Sequence, residues 1–135
     1  MKKDIPIKKV EDVVMAIVPR EDLTEGEDIW DVYIINLKDT PILSVLINST
    51  GYGEIDGERR RSSTFRHFFE EIGPLEVRQV EAIHSDLFCL TNQFWVSFSH
   101  GDYLYDKKFI FLPGSIREEL FTDIPFLPRR GVMIK

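Results

Sequence analysis

The residue types that could do chemistry are scattered along this chain. His84-Ser85-Asp86 holds a hydroxyl, an imidazole and a carboxylate. Three adjacent residues of one short segment do not set a serine against an imidazole that a carboxylate orients from behind, and the chain contains no Gly-x-Ser-x-Gly elbow. The segment therefore reads as a polar turn. Metal ligands fare no better, because His67, His84 and His100 stand apart, Cys89 is the single cysteine, and no His-x-x-x-His occurs. Neither a metal nor any other cofactor is called for. Carboxylate pairs such as Glu70-Glu71 and Glu118-Glu119 read as solvated faces.

The stretch Gly51-Tyr52-Gly53-Glu54-Ile55-Asp56-Gly57-Glu58-Arg59 is glycine-rich, but it lacks the Lys-Ser/Thr of a phosphate-binding loop and the spacing of a dinucleotide fingerprint. Its glycines suit a bulge or tight bend, and Asp56-Gly57 suits a hairpin turn whose two central residues need positive φ. Tyr52 beside Arg59, Arg60 and Arg61 is the best candidate ligand or partner contact in the chain.

Turn signals recur at short intervals, and the segments between them are rich in Val, Ile, Phe, Tyr and Trp. Val13–Val18, Trp30–Leu37 and Ile42–Asn48 are predicted strands, the third with Leu43, Val45 and Ile47 inward. Ser63–Ile72 fits two templates: Phe65, Phe68, Phe69 and Ile72 at helical spacing, or Phe65, His67 and Phe69 on one face of a strand. A strand continues the meander and is preferred. Leu75–Ile83, Phe94–His100 and Tyr103–Leu112 follow, with Phe94, Val96 and Phe98 opposing Trp95, Ser97 and Ser99. About seven strands with short polar turns predict an all-β sandwich of the immunoglobulin or fibronectin kind, with its core over residues 13–112.

Beyond it, Ser115-Ile116-Arg117-Glu118 has the form of a capping box and predicts a short helix through Phe121. Ile124-Pro125-Phe126-Leu127-Pro128 is apolar yet closed to helix by its prolines, which predicts an extended, docked tail. Asp4-Ile5-Pro6-Ile7 echoes Asp123-Ile124-Pro125-Phe126.

The chain has 135 residues, 43% hydrophobic, and 17 basic against 23 acidic side chains give a net charge of −6. A single domain of this size buries roughly 68% of its unfolded surface, enough for a core without disulfides or metals. The acidity repels phosphate backbones and anionic lipid, so nucleic acid and membrane are not expected partners. Cys89, flanked by Leu87, Phe88 and Leu90, is expected to be a buried thiol in a reducing compartment. Charges interrupt the N-terminal residues, and the apolar run 13–18 is too short for a signal or a membrane span, so the location is read as cytoplasmic.

Five stretches carry a resemblance: Asp4-Ile5-Pro6, Gly51-Tyr52-Gly53-Glu54 with Asp56-Gly57, Asn92–Phe98, Tyr105–Phe111, and Leu112-Pro113-Gly114-Ser115-Ile116. Over nearly its whole length the chain resembles a family of small uncharacterised bacterial proteins, some labelled phenylalanyl-tRNA synthetase alpha subunit. The resemblance implies a shared fold, and the label implies aminoacylation. A synthetase core of that class needs Phe-Arg-x-Glu and a later glycine-rich motif ending in Glu-Arg. Here Phe65-Arg66-His67-Phe68 lacks the glutamate, Gly57-Glu58-Arg59 precedes it, and the chain is about half the length such a core needs.

The resulting expectation is a non-catalytic, protein-binding domain, with self-association as the simplest case. Apolar termini supply the expected interface: Ile5, Ile7, Ile124, Phe126, Leu127 and Met133. The alternative is a small-molecule binder or enzyme using Tyr52 and Arg59–Arg61, and a tRNA-linked accessory role is third.

Overall fold

The computed structural model describes residues 7–20 and 28–135. These form β1 (Ile7–Lys8), β2 (Val13–Pro19), β3 (Ile29–Asn36), β4 (Ile42–Ile55), β5 (Glu58–Arg61), β6 (Phe65–Ile72), β7 (Val77–His84), β8 (Thr91–His100), β9 (Tyr103–Phe111), β10 (Thr122–Asp123) and β11 (Arg130–Ile134). The seven expected strands are β2, β3, β4, β6, β7, β8 and β9. They lie in two sheets that pack as a sandwich. The five-stranded sheet runs β10-β11-β2-β3-β7; the six-stranded sheet runs β1-β9-β8-β4-β5, with β6 beside β5 on the same edge of β4. Pairing is antiparallel except at β1, which lies parallel to β9.

The inward faces meet in one apolar layer. Val13, Met15, Ile17, Val32 and Ile34 come from the five-stranded sheet, and Val45, Ile47, Phe94, Val96, Phe98, Phe109 and Phe111 from the other. Each such side chain contributes about 1.5–3 kcal/mol by leaving water. Phe94 and Phe111 meet edge to face at 6.0 Å, a geometry that suits their ring quadrupoles.

Asn36 holds one end of the sandwich together. It sits where β3 leaves for β4, is wholly buried, and donates from Nδ2 to the carbonyls of Thr40, Ile72 and Gly73 while Oδ1 accepts from the Lys38 amide. The carbonyls of Ile72 and Gly73 belong to the other passage between sheets, from β6 to β7. One side chain thereby ties together backbone groups at both crossovers.

Two irregularities break the strict alternation of the strands. Leu43, expected inward, is exposed, and the wholly buried Ile42 takes its place. The cause is a bulge: Leu43 pairs with Ser99 but Leu46 with Ser97, so β4 carries one residue too many, and Ser44 absorbs it at φ 51°. In the same way β7 shifts register between Val32 and Tyr33 of its partner, which puts both Val80 and Ile83 in the core. The uneven hydrophobic pattern of β7 follows from that extra residue.

At the C-terminal end the predicted helix is only a 3-10 turn, Glu118–Leu120, entered through Arg117. Ser115 does not cap it; its hydroxyl donates instead to the carbonyl of Leu112. The tail then turns at Ile124–Leu127, where the Leu127 amide reaches the Ile124 carbonyl, Pro125 fixes the first corner and Phe126 takes the second at φ 64°. β11 adds to β2, pairing Val132 with Ile17. Gly131 is required beside this junction, because a Cβ there would collide with the carbonyl oxygen of Ile17. Cys89, expected to be buried, is exposed: it ends a 3-10 turn, Ser85–Cys89, in which Leu87 and Phe88 face the core instead. No helix among the described residues is long and apolar enough to cross a membrane.

Candidate functional site

β4 runs on past its expected end at Asn48 to Ile55 and returns as β5. Asp56 and Gly57 have φ of 53° and 79°, the double positive φ that a tight hairpin turn demands. The register pairs Tyr52 with Arg61 and Glu54 with Arg59. Alternation therefore places Tyr52, Arg59 and Arg61 on the outer face of the six-stranded sheet, while Arg60 opposes Gly53 and pairs with Glu58 at 2.9 Å. With Thr50, Gln93 and Glu54 these residues line an open concavity of about 560 Å³. Arg59 and Arg61 form no ion pair with any described residue.

The same face continues away from the hairpin in cross-strand rows. Lys108, Trp95, Asn48 and Arg66 form one; Asp106, Ser97, Leu46 and Phe68 form the next; Leu104, Ser99, Leu43 and Glu71 complete it. Phe68 is 64% exposed, Trp95 42% and Leu46 36%. An aromatic at the middle of a sheet face in open solvent is unusual, and here three large apolar residues are neighbours. Trp95 is held in place from two sides: its indole nitrogen donates to Asp106 Oδ1, and Lys108 Nζ lies 4.6 Å from its ring centroid. The bulge at Ser44 opens a second groove of about 430 Å³ between Leu46, Trp95 and Leu104. At its edge, Asn48 Oδ1 is buried without a hydrogen-bond partner, the one such side-chain atom among the described residues.

The outer face of the five-stranded sheet is built differently. Val14, Ala16, Val18 and Ile35 are buried there, with Ile124, Leu127 and Met133 of the tail packed in the same cluster. A polar clamp fastens the tail. Asp31, 5% exposed, accepts from Arg20 Nε and Gln79 Nε2, each at 2.8 Å, and receives both terminal nitrogens of Arg129 at 3.4 Å. Arg129 also donates to Tyr33 Oη and to the Pro19 carbonyl, each at 2.7 Å. Of the apolar residues expected at an interface, Ile124, Leu127 and Met133 thus contact their own sheet, and Phe126 is exposed. Ile5 lies outside the described residues. Ile7 starts β1, and its side chain lies outside them too.

Between the sheets sits a polar cluster that sequence reading did not assemble. Glu81 Oε1 accepts the Ser49 hydroxyl at 2.6 Å and lies 2.8 Å from His67 Nε2. The carboxylate stands between serine and histidine, so no imidazole is placed to take the serine proton, and Ser49 is buried. The cluster joins β4, β6 and β7. Its signal was the inward position of His67 among phenylalanines, since a buried polar side chain needs a partner. The His84-Ser85-Asp86 segment is a polar turn as read, its imidazole Nδ1 accepting from the Asp86 amide at 3.1 Å. His100 lies 2.6 Å from Thr40 Oγ1, far in register from the hairpin. No cluster of three metal-ligating side chains exists among the described residues.

The chain matches no known family model, and comparisons with curated proteins and with solved structures find no significant match.

Proposed function

We propose that this protein is a non-catalytic, cytoplasmic binding domain, that its partner is a protein, and that it recognises that partner with the outer face of the six-stranded sheet. The observation that carries this reading is the exposed group Leu46, Phe68 and Trp95 and, beyond it, Tyr52 and two arginines that form no ion pair with a described residue. Aromatic residues and arginine dominate binding energy at protein interfaces, and large aromatic residues are ordinarily mostly buried in a free domain. Trp95 is pre-positioned by Asp106 and Lys108, so little side-chain freedom is lost when a partner covers it. The test is affinity capture from native extract with the wild-type chain and with a Leu46→Asp, Phe68→Asp variant. The captured proteins are expected to be lost with the variant; an unchanged set removes the face from consideration.

A second reading takes the concavity at Tyr52, Arg59, Arg61 and Gln93 as a site for a small carboxylated or phosphorylated molecule, supported by two guanidinium groups that form no ion pair with a described residue. Thermal shifts with such metabolites, abolished in an Arg59→Ala, Arg61→Ala variant, are its expected mark. Absence of any shift at millimolar ligand rejects it.

A further inference from the structure

We infer that the occupant of this face is a second copy of the same chain, stacked face to face with its strands reversed; this rests on the reading of the face as a protein-binding surface. The face is polarised along its strands. Arg59 and Arg61 outnumber Glu54 at the hairpin end, whereas the charges at the other end are Glu71 and Asp106, beside the exposed Leu43, Leu46 and Phe68.

A two-fold axis lying across the strands above Ser49 reverses this order in the mate while keeping each strand over its own counterpart. The observed register then sets the meetings. Thr50 of one copy faces Asn48 of the other; Tyr52 faces Leu46. Since β5 and β6 occupy the same edge of β4, Arg61 faces Phe68 and Arg59 faces Glu71. Every meeting occurs twice, as an isologous interface requires.

The charged and apolar meetings supply what the single chain lacks among its described residues. Arg59 gains a carboxylate, Arg61 gains an aromatic face, and the apolar residues leave water. Size also fits. Four strands spaced about 4.8 Å apart and about ten residues long form a face of roughly 19 by 33 Å. Its flat area of about 630 Å² compares with the roughly 800 Å² of accessible surface per partner of a standard interface. Face-to-face sheets keep their strands within about 30° of each other, so the meetings nearest the axis are the best aligned. The opposite outer face cannot substitute, because Ile124 and Leu127 occupy it.

Sedimentation equilibrium of the full chain tests the inference. The wild type is expected to be a dimer at tens of micromolar, and Leu46→Asp or Phe68→Asp to raise the dimer dissociation constant at least about tenfold with circular dichroism and melting temperature retained. Arg59→Glu alone is expected to weaken the dimer; combined with Glu71→Arg it is expected to recover, a rescue that only this pairing provides. A strictly monomeric wild type overturns the inference, as does a dimer that survives both aspartate substitutions or a charge swap that fails to rescue. If the wild type is monomeric while those variants still lose captured protein from extract, the self-pairing falls and the wider protein-binding reading stands. If neither association nor capture responds to the aspartates, both fall.

Discussion

The two outer faces of this sandwich start from similar materials and end in opposite states. On the five-stranded sheet, Val14, Ala16, Val18 and Ile35 are sealed with the tail and clamped by Asp31 and Arg129. On the six-stranded sheet, Leu46, Phe68 and Trp95 remain open to solvent. One face is thus part of the folding core and the other is surplus to it. Removing side chains from the first should cost stability; removing them from the second should cost association.

The largest effect is expected at the clamp. Asp31→Ala leaves Arg129 and Arg20 without their buried carboxylate and is expected to cost about 3–5 kcal/mol in urea unfolding. A loss below about 1 kcal/mol would mean that the tail is not held by charge. Next is Ile124→Ala, for which cavity formation predicts a loss of about 2–4 kcal/mol and increased proteolysis of the tail. An unchanged proteolysis pattern would show the tail docked by β11 alone.

Phe126→Gly runs the other way. Glycine accepts the φ of 64° that phenylalanine tolerates only under strain, so a gain of about 0.5–1 kcal/mol is expected. The smallest effect belongs to the open face, where Leu46→Ser and Phe68→Ser should each change monomer stability by less than about 0.5 kcal/mol. A loss of 2 kcal/mol at either residue would place it in the core and collapse the contrast between the faces.

That contrast was already written in the hydrophobic patterns. Val13-Val14-Met15-Ala16-Ile17-Val18 is an unbroken apolar run, the mark of a strand covered on both sides, and all six residues are buried in β2. Phe94-Trp95-Val96-Ser97-Phe98-Ser99 alternates, the mark of a strand covered on one, and β8 follows it, with Trp95 as the apolar exception. The hairpin at Asp56-Gly57 was equally legible, because only a few residue types accept its φ values. Leu43 was misplaced because a bulge leaves no trace in hydrophobicity: leucine and isoleucine are both apolar, and which one turns inward depends on the partner strand.

What the sequence determined by itself was therefore local and periodic: seven of the strands, their faces away from the bulges, the tight hairpin and the tail's exclusion from helix by Pro125 and Pro128. What only the tertiary structure decided was who meets whom. Apolar burial is non-directional, so a run that must be covered does not say by what, and Ile124 and Leu127 closing over β2 and β3 could be learned only from the assembled sheets. The same holds for polar partners. Asn36, Asp31 and Glu81 each needed hydrogen bonds once buried, but their partners lie as far as 98 positions away in the chain, as Arg129 does from Asp31. The register of paired strands, not proximity in sequence, brings such groups within reach, and that register also leaves Trp95, Phe68 and Leu46 side by side in the open.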